Sequence, residues 1–474
     1  MLPFLDLWPT KADSLVLGRL GRSRFLPLLH IPTKARAAHQ YVVGLSGLGK
    51  SKLLEYWLFQ DVSSGRGCGL IDPHSMLVDD LIRLLITKGT LADPDIRSRI
   101  IYVDPSRQQD YIVPFNVLKS PDSPYDTAAS ILEAFRRTWP ESLREAPHFS
   151  NVMTAALIVL IENNLTLMDM QRLLTDEEFR EQCLKQVTEH SVIEFFHDRY
   201  DRWGREAPVM RESTLNKVGA FSLNPRLKIM LGQTENHLDF QAIMDGKKIL
   251  LLDLGRSDGE TNRLIGSLVT TGLERAMRRR RKENLWPLYI DEFASYVANE
   301  GSIKTLAHVF SEGRKFRMSM TVAHQDLSQL TPRMLGALSN VQTKVIFGVG
   351  RQDAEYFAKL VGRVDTEAIK RDPKTETQHE VFSPLAEQWE GWVDQIRFQP
   401  PRQALVATHG GRVNTIQTIT IPAYTATDEA VEELRKESLK RYGIPYRQAK
   451  RNVEEPSTTG EHQISLDDIS FYGH

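Results

Sequence analysis

A glycine-rich segment near the N-terminus constrains the fold of this chain more than any other feature. Residues 44–51 read GLSGLGKS and fit the pattern G-x-x-x-x-G-K-[ST]. A β-prone run at 40–43 precedes the segment, and a helical pattern over 50–60 follows it. Glycines let the loop turn tightly, so its backbone N–H groups converge on an anion at the helix N-terminus. The segment therefore predicts a phosphate-binding loop, and an ordinary glycine-rich turn is the alternative.

The residues of this loop have separate roles in the expected site. The Lys50 ammonium would reach the β- and γ-phosphates, and the Ser51 hydroxyl would bind magnesium. The expected cofactors are therefore ATP and Mg²⁺. The expected nucleotide-binding residues are Gly44, Gly47, Leu48, Gly49, Lys50 and Ser51.

A second apolar run, at 286–290, ends in two carboxylates, Asp291 and Glu292. In a phosphate site, Asp291 would hold magnesium through water, and Glu292 would orient or deprotonate the attacking water. Such a pair taken alone is often a solvated loop. Because a phosphate loop precedes it in the same predicted sheet, the pair is interpreted as catalytic.

The strand predicted over 318–323 ends at His324 and Gln325. A polar residue at the end of a strand beside the acidic strand can contact the γ-phosphate and sense its hydrolysis. The alternative is a loop glutamine with ordinary hydrogen bonds. We take Gln325, rather than His324, as the candidate, for a reason that the family resemblance below supplies.

Strand and helix patterns alternate through the first part of the chain, with strands at 68–71 and 100–103 and a helix at 76–87. This alternation is typical of a parallel α/β sheet. From about 125 to 232 only helical spacing appears, with capping boxes at Thr175 and Ser191. Strands return at 248–254, 286–290, 318–323 and 344–349. A helical insertion would explain the long gap between the loop and the acidic pair.

Four segments follow from this pattern. We expect the nucleotide-binding domain to comprise 1–124 and 233–425, with a last strand at 415–421 and a mixed stretch at 365–412. An all-α insertion domain would occupy 125–232. Residues 426–474 would form an exposed C-terminal helix and a flexible tail.

Composition narrows the classes of protein that fit. The 474 residues carry a formal net charge of -1, so affinity for nucleic acid must come from local patches. Two cysteines are too few for a disulfide framework or a Cys-rich zinc site, and suit a reducing cytoplasm. No run approaches the ~20 apolar residues of a spanning helix. We expect a cytoplasmic protein without a membrane span of its own.

A basic run ends the helix predicted over 262–281. It contains Arg275 and the stretch RRRRK at 278–282. Such a run can contact phosphates, but it is more often a solvated face favoured by the helix dipole.

The order of these segments resembles the FtsK/HerA superfamily of ring ATPases, and more narrowly the TraD/TraG-like coupling proteins of type IV secretion. The resemblance covers about 15–425. It is carried by GLSGLGKS, GLIDPH, IYVDPS with VPFNVL, LYIDEFASY, SEGRKFRMSMTVAHQDLSQL and NVQTKVIFGVGRQDAEYFAKLVG.

This resemblance implies a RecA-like P-loop core with an inserted all-α domain that faces the substrate. Lys50 and Ser51 would be Walker A residues, and Asp291 and Glu292 Walker B residues. Gln325 would be the motif-III glutamine. Members of the family usually begin with transmembrane helices and none is predicted here, so recruitment to the inner membrane would need partner proteins.

The function implied is a homohexameric ATPase that couples hydrolysis to DNA translocation, with a relaxase or secretion-channel proteins as partners. Arg314 would be the arginine finger that completes a neighbour's site, with Arg317 and Arg351 as second choices. The alternatives are a HerA-like ATPase in DNA processing or defence, and an ATP-dependent docking module that recruits a nuclease, relaxase or secreted protein.

Overall fold

The computed structural model describes residues 14–107 (apart from 22 and 24), 110–139, 147–202, 207–296, 308–366, 384–408 and 411–454. The strands are β1 (Ser14–Arg19), β2 (Leu28–Pro32), β3 (Gln40–Val43), β4 (Cys68–Asp72), β5 (Ile100–Val103), β6 (Tyr111–Ile112), β7 (Ile249–Asp253), β8 (Trp286–Ile290), β9 (Met318–His324), β10 (Thr343–Ile346), β11 (Gln403–Thr408), β12 (Arg412–Gln417) and β13 (Ile444–Pro445).

The α-helices are α1 (Thr33–Arg36), α2 (Lys50–Ser63), α3 (Met76–Thr87), α4 (Pro94–Ser98), α5 (Pro124–Thr138), α6 (Pro147–Glu162), α7 (Met170–Thr175), α8 (Glu177–Leu184), α9 (His190–Glu194), α10 (Ala207–Ser222), α11 (Pro225–Leu231), α12 (Phe240–Asp245), α13 (Gly259–Arg279), α14 (Pro332–Ser339), α15 (Arg351–Val361), α16 (Leu385–Arg397), α17 (Asp428–Tyr442) and α18 (Tyr446–Glu454).

Eleven strands form one sheet in the order β2-β1-β12-β11-β10-β3-β9-β8-β4-β7-β5. The seven strands from β10 to β5 are parallel, and the four from β2 to β11 extend the sheet in antiparallel pairs. Strands β3, β4, β5, β7, β8, β9 and β10 are buried along their whole length, as strands covered on both faces are. The predicted α/β class with a mixed, mostly parallel sheet is confirmed.

Helices fill the described residues between β6 and β7. Helix α5 packs against both α6 and α13, and so connects this helical region to the helix that precedes β8. The chain enters and leaves the region at adjacent points. The Phe115 amide donates to the Met230 carbonyl at 3.0 Å, and the His237 amide donates to the Pro114 carbonyl at 3.0 Å.

Two predicted helix caps were wrong. Asp176, rather than Thr175, caps α8, because its side chain accepts from the Phe179 amide. Ser191 lies inside α9, which begins at His190. A capping box does occur at Thr166, where the third residue of the following helical turn is Asp169.

The C-terminal part of the chain is more ordered than the sequence suggested. Helix α17, expected to be exposed, buries Val431, Leu434 and Leu439 and packs against α3 and β5. Residues expected to begin a flexible tail pair as β13 with β6 and continue as α18, which packs on α11. Residues 455–474 lie outside the described part of the chain.

Strands at the antiparallel end of the sheet also differ from expectation. The stretch 365–412, which showed no clear strand pattern, contains β11, and the last strand of the sheet is β12 at Arg412–Gln417 rather than 415–421.

Within the described ranges, no helix is both long enough and apolar enough to cross a membrane.

A buried ionic network joins three elements, α1, α2 and the interior strand β8. Arg36 at the end of α1 pairs with both carboxylate oxygens of Asp61 on α2 and donates to the Tyr289 hydroxyl on β8. The Tyr289 hydroxyl donates to Asp61 Oδ2 at 2.7 Å, and Arg66 donates to Asp61 Oδ1 at 2.9 Å. Burial opposes ionisation, yet Arg36 and Arg66 hold the pKa of Asp61 below its ordinary value.

Candidate nucleotide-binding site

The glycine-rich segment forms a loop between β3 and the N-terminus of α2. Gly47 has φ 78° and Gly49 has φ 112°, a left-handed region where a side chain is strained. Because α2 begins at Lys50, the amides of its first turn have no carbonyl partner within the helix. The loop and the helix dipole together provide the amide-lined cradle that an anionic phosphate requires.

The connection after β10 supports this loop from one side. The Leu45 amide donates to the Gly348 carbonyl at 2.8 Å. A Cβ atom on Gly44 would lie 2.5 Å from Phe347 Cβ, so only glycine fits at that position. The loop is therefore held against the sheet rather than free in solvent.

Lys50 lies across the loop with its side chain largely buried. Its Nζ donates to the Gly44 carbonyl at 2.7 Å and to the Leu45 carbonyl at 3.1 Å. Burial lowers the pKa of Lys50, whereas the carboxylates of Asp291 and Glu292 act in the opposite direction. A phosphate oxygen can replace these carbonyl contacts and supply the negative charge that a buried ammonium favours.

Ser51 meets the acidic end of β8. Its hydroxyl donates to Asp291 Oδ2 at 3.2 Å, across 240 positions of sequence. Magnesium binds hard oxygen ligands, and protein sites often supply only one or two of them besides phosphate and water. A hydroxyl and a carboxylate in contact beside the phosphate loop fit that requirement.

Glu292 adopts an uncommon backbone conformation, with φ 47°. A left-handed residue other than glycine costs about 1–3 kcal/mol and occurs most often at functional sites. The Glu292 amide donates to Asp291 Oδ1 at 3.0 Å, and its carboxylate Oε2 accepts from Gln325 Nε2 at 3.1 Å. The turn after β8 therefore brings the second carboxylate next to the residue that follows β9.

Sheet order explains this contact, because β9 lies between β3 and β8. His324 is buried in the sheet, where its Nε2 lies 3.2 Å from the Tyr41 hydroxyl and its ring stacks on Tyr41. Burial lowers the pKa of His324 to about 4, so it is neutral at pH 7. Of the two residues, Gln325 is the one that contacts Glu292.

Arg314 is exposed and lies in the turn before β9, so it is at the opposite edge of the sheet from Gln325. At about 3.3 Å per residue, the seven residues of β9 separate the two edges by about 20 Å. The structure therefore does not bring Arg314 to its own chain's phosphate loop. Arg317 is exposed in the same turn, and Arg351 pairs with Glu355 and Glu390.

Three members of the basic run at the end of α13 form partly buried ion pairs, whereas Arg278, Arg281 and Lys282 are exposed. Arg275 Nε donates to Asp122 Oδ2 at 2.8 Å, and Arg279 Nη1 donates to both Asp122 oxygens at 2.6 Å. Although partial burial opposes it, these two arginines lower the pKa of Asp122. Arg280 pairs with Asp245 at 3.0 Å. The expectation of a solvated face is wrong for these three arginines, and Asp122 lies too far along the chain for a local pattern to reveal the pairing.

Asp72 is a member of this region that the sequence did not single out. It ends β4, beside β8, and its carboxylate accepts from the Leu77 and Val78 amides at 2.8 and 3.0 Å. Burial, together with the charges of Asp291 and Asp253, raises the pKa of Asp72 to about 6. Its position at the end of an apolar strand is the signal that could have identified it.

Comparisons with known proteins fit this geometry. A family model described as the TraM recognition site of TraD and TraG matches residues 287–390, the segment that contains Asp291, Glu292, Arg314 and Gln325. A search of the curated proteins gives no significant match.

Solved structures share the fold over most of the chain. The bacterial conjugative coupling protein TrwBdeltaN70 in its unbound form has a TM-score of 0.61 and 17% identity over 88% of this chain and 90% of that chain. TrwB in complex with ADP and Mg²⁺ has a TM-score of 0.58 and 17% identity over 84% of this chain and 89% of that one. VirB4 of Thermoanaerobacter pseudethanolicus has a TM-score of 0.54 and 14% identity, covering 89% of this chain and 99% of its own.

Identities this low establish a shared fold, and the family model adds a match in sequence over the segment that contains Asp291, Glu292 and Gln325. Together they confirm that this chain resembles the TraD/TraG-like coupling proteins of type IV secretion and has their RecA-like ATPase fold.

Proposed function

We propose that the chain is an ATPase that couples hydrolysis to the movement of DNA, in a role like that of the conjugative coupling proteins. One observation carries the proposal: the phosphate loop, the Ser51–Asp291 contact and the Glu292–Gln325 contact occur together at one edge of the parallel sheet. These residues follow three different strands, and Ser51 and Asp291 are 240 positions apart in sequence. Their proximity therefore depends on the tertiary fold and not on local structure.

Each side chain has a role that follows from its position. Lys50 would bind the phosphates, and Glu292 would take the proton of the attacking water, held in place by Gln325. Ser51 and Asp291 would hold magnesium, which supplies charge neutralisation on the phosphates when it is bound. Gln325 could pass the state of the γ-phosphate to β9.

Arg314 supports a ring. Its turn is too far from its own phosphate loop to act there, so as an arginine finger it would act at the site of a neighbouring subunit. A homohexamer with DNA in a central channel is the assembly we propose. The arginine finger role belongs to the same proposal.

The domain organisation remains a proposal of the same kind. Residues 1–124 and 233–425 would form the motor core, and 125–232 an all-α domain that faces the substrate. Residues 426–474 would form the C-terminal segment, with α17 and α18 packed on the core and the helical region.

Partner docking is a second candidate function, and the match to a TraM recognition segment favours it. In that case the ATPase would recruit a DNA-processing protein, a relaxase or secretion-channel proteins, and recruitment to the inner membrane would depend on those partners. A soluble ATPase of DNA processing or defence would use the same site with other partners.

ATPase rates with no DNA, with single-stranded DNA and with double-stranded DNA, measured beside the mass of the assembly, test the proposal. We expect DNA to stimulate turnover in a hexamer. Turnover that is indifferent to DNA, combined with tight binding of a protein partner, would favour the docking function.

The Lys50→Ala variant tests the phosphate loop itself, because it removes the charge that faces the phosphates. We expect ATP hydrolysis to disappear and nucleotide binding to weaken. Lys119→Ala is the matched control, since Lys119 is exposed and pairs only with the surface residue Glu235 among the contacts described. Near-normal turnover in Lys50→Ala would refute the site.

A further inference from the structure

The catalytic residues fix the direction in which a nucleotide must lie on the loop. Glu292 and Gln325 lie on the side of β3 where β9 and β8 follow in the sheet. A γ-phosphate that meets them therefore points toward β9. The nucleoside at the other end of the nucleotide would then lie toward β10 and β11, on the opposite flank of the loop.

That flank is built by the segment between α16 and β11. The Arg402 amide donates to the Leu48 carbonyl at 2.8 Å, which joins the segment directly to the phosphate loop. A Cβ atom on Gly348 would lie 3.0 Å from Leu48 Cδ1, 3.1 Å from the Arg397 carbonyl and 3.3 Å from the Gln399 carbonyl. Gly348 is thus packed between the loop and the backbone on both sides of Phe398.

The Phe398 side chain is exposed at this position. It is 67% exposed, whereas most large apolar side chains of the described residues are buried. The Arg397 guanidinium lies 4.8 Å from the centroid of its ring. Arg397 in turn lies 3.6 Å from Asp394, an ion pair that holds the guanidinium at the ring.

We propose that Phe398, backed by Arg397, is a stacking platform for the nucleobase of the bound nucleotide. The inference rests on the proposed function of the same loop and adds to it the part of the site that holds the base. Every base has a π-face, and a phenylalanine ring supplies no hydrogen bond with which to distinguish one from another. The platform should therefore accept both adenine and guanine.

Loss of the ring should weaken nucleotide binding by roughly 5- to 150-fold, the range that stacking of one base on an aromatic side chain gives. The loss should appear in the dissociation constant and KM, and only weakly in kcat, because the base is remote from the γ-phosphate. Inorganic tripolyphosphate has no base, so its binding should not change.

The experiment compares four proteins: wild type, Phe398→Ala, Phe398→Leu and the control Phe25→Ala. Phe25 is 84% exposed on the β1–β2 hairpin, so its replacement removes a ring elsewhere that is at least as accessible as that of Phe398. Binding of ATP, GTP and tripolyphosphate is measured by calorimetry in the presence of magnesium. Phe398→Trp is added as a reporter, because a base stacked on the indole should quench its fluorescence.

We expect weaker binding of ATP and GTP in Phe398→Ala and a smaller loss of binding in Phe398→Leu. Tripolyphosphate binding should be unchanged in both variants. Unchanged ATP binding in Phe398→Ala, or no fluorescence change in Phe398→Trp when ATP binds, would overturn the inference. Equal loss of ATP and tripolyphosphate in Phe398→Ala would also overturn it, because the ring would then support the loop rather than the base. Failure of the phosphate site itself looks different, since wild type would then bind none of the three.

Discussion

The buried network of Arg36, Asp61 and Tyr289 offers the sharpest test of how α2, the helix that begins at the phosphate loop, is fixed to β8. Asp61 sits near the end of α2, the helix that begins at the loop, and Tyr289 lies one residue before the end of β8, the strand that leads to Asp291. Both Arg36 and Asp61 are fully buried. The change we consider is Asp61→Asn, which keeps the size of the side chain and removes its charge.

The expected loss of stability follows from what the substitution leaves behind. The guanidinium of Arg36 would remain buried without a carboxylate, and the asparagine amide would place N–H donors against the N–H donors of arginine. Leaving one member of a buried ion pair unpaired costs about 3–5 kcal/mol. Adding Arg36→Met removes the unpaired charge, so the double variant should recover at least about 2 kcal/mol of the free energy of unfolding.

Equilibrium unfolding in guanidinium chloride, followed by tryptophan fluorescence, measures these free energies. Trp57 on α2 and Trp286 on β8 are fully buried and lie on two of the three elements that the network joins. Lys119→Ala is a suitable control, because the Lys119–Glu235 pair is exposed and such pairs contribute about 0–1 kcal/mol. A loss below about 1 kcal/mol in Asp61→Asn, or strict additivity in the double variant, would refute the reasoning.

Three further predictions concern the candidate site. Glu292→Gln should bind ATP but hydrolyse it about 10²–10⁴ times more slowly, since it loses the proton acceptor; rapid turnover would assign the base elsewhere. Arg314→Ala should bind ATP and assemble, yet lose about 10³–10⁵ in rate. Mixing it with Lys50→Ala should restore some activity, and no recovery in rings shown to be mixed would exclude action in trans. His324 has a pKa of about 4 in the folded chain, below its ordinary value of 6.5, so the unfolded chain binds more protons between these values. The contribution of His324 to stability should therefore fall by about 3 kcal/mol as pH drops from 6.5 to 4, so the stability of His324→Gln, compared by denaturant midpoints, should fall less than that of the wild type; an equal fall would show that other groups titrate.

Local sequence signals predicted the parallel part of the sheet well. The strands at 40–43, 100–103 and 286–290 occur at the predicted positions, because each is a short apolar run that ends at a polar turn. A contact between Ser51 and Asp291 could be anticipated, since the phosphate loop and the acidic strand end are both expected to hold the same magnesium ion. The distance between the two side chains depends on β9 lying between β3 and β8, and no local sequence pattern specifies that strand order.

Other features depend on contacts between distant segments, and the sequence could not show them. Strand β11 pairs with β10 and β12 in a stretch rich in charge and proline, so its strand conformation comes from its neighbours. The arginines of α13 looked solvated because their partner, Asp122, precedes them by more than 150 residues. Helix α17 looked exposed because its buried face combines Val431, Leu434 and Leu439 with two polar residues, Arg435 and Ser438.

The adjacent hydrogen bonds at Phe115 and His237 have a consequence for how this fold can vary. Because the chain leaves and rejoins the core at neighbouring points, the two ends of the intervening helical segment are held close together. The entropy of closing a flexible segment grows so slowly with length that doubling it costs only about 0.6 kcal/mol. Helical segments of very different size can therefore be accommodated at this one place without changing the order of the sheet. A chimaera that joins another helical domain between Pro114 and His237 should keep the sheet and its flanking helices intact, provided that it supplies a surface to cover the face of α13 on which α5 packs.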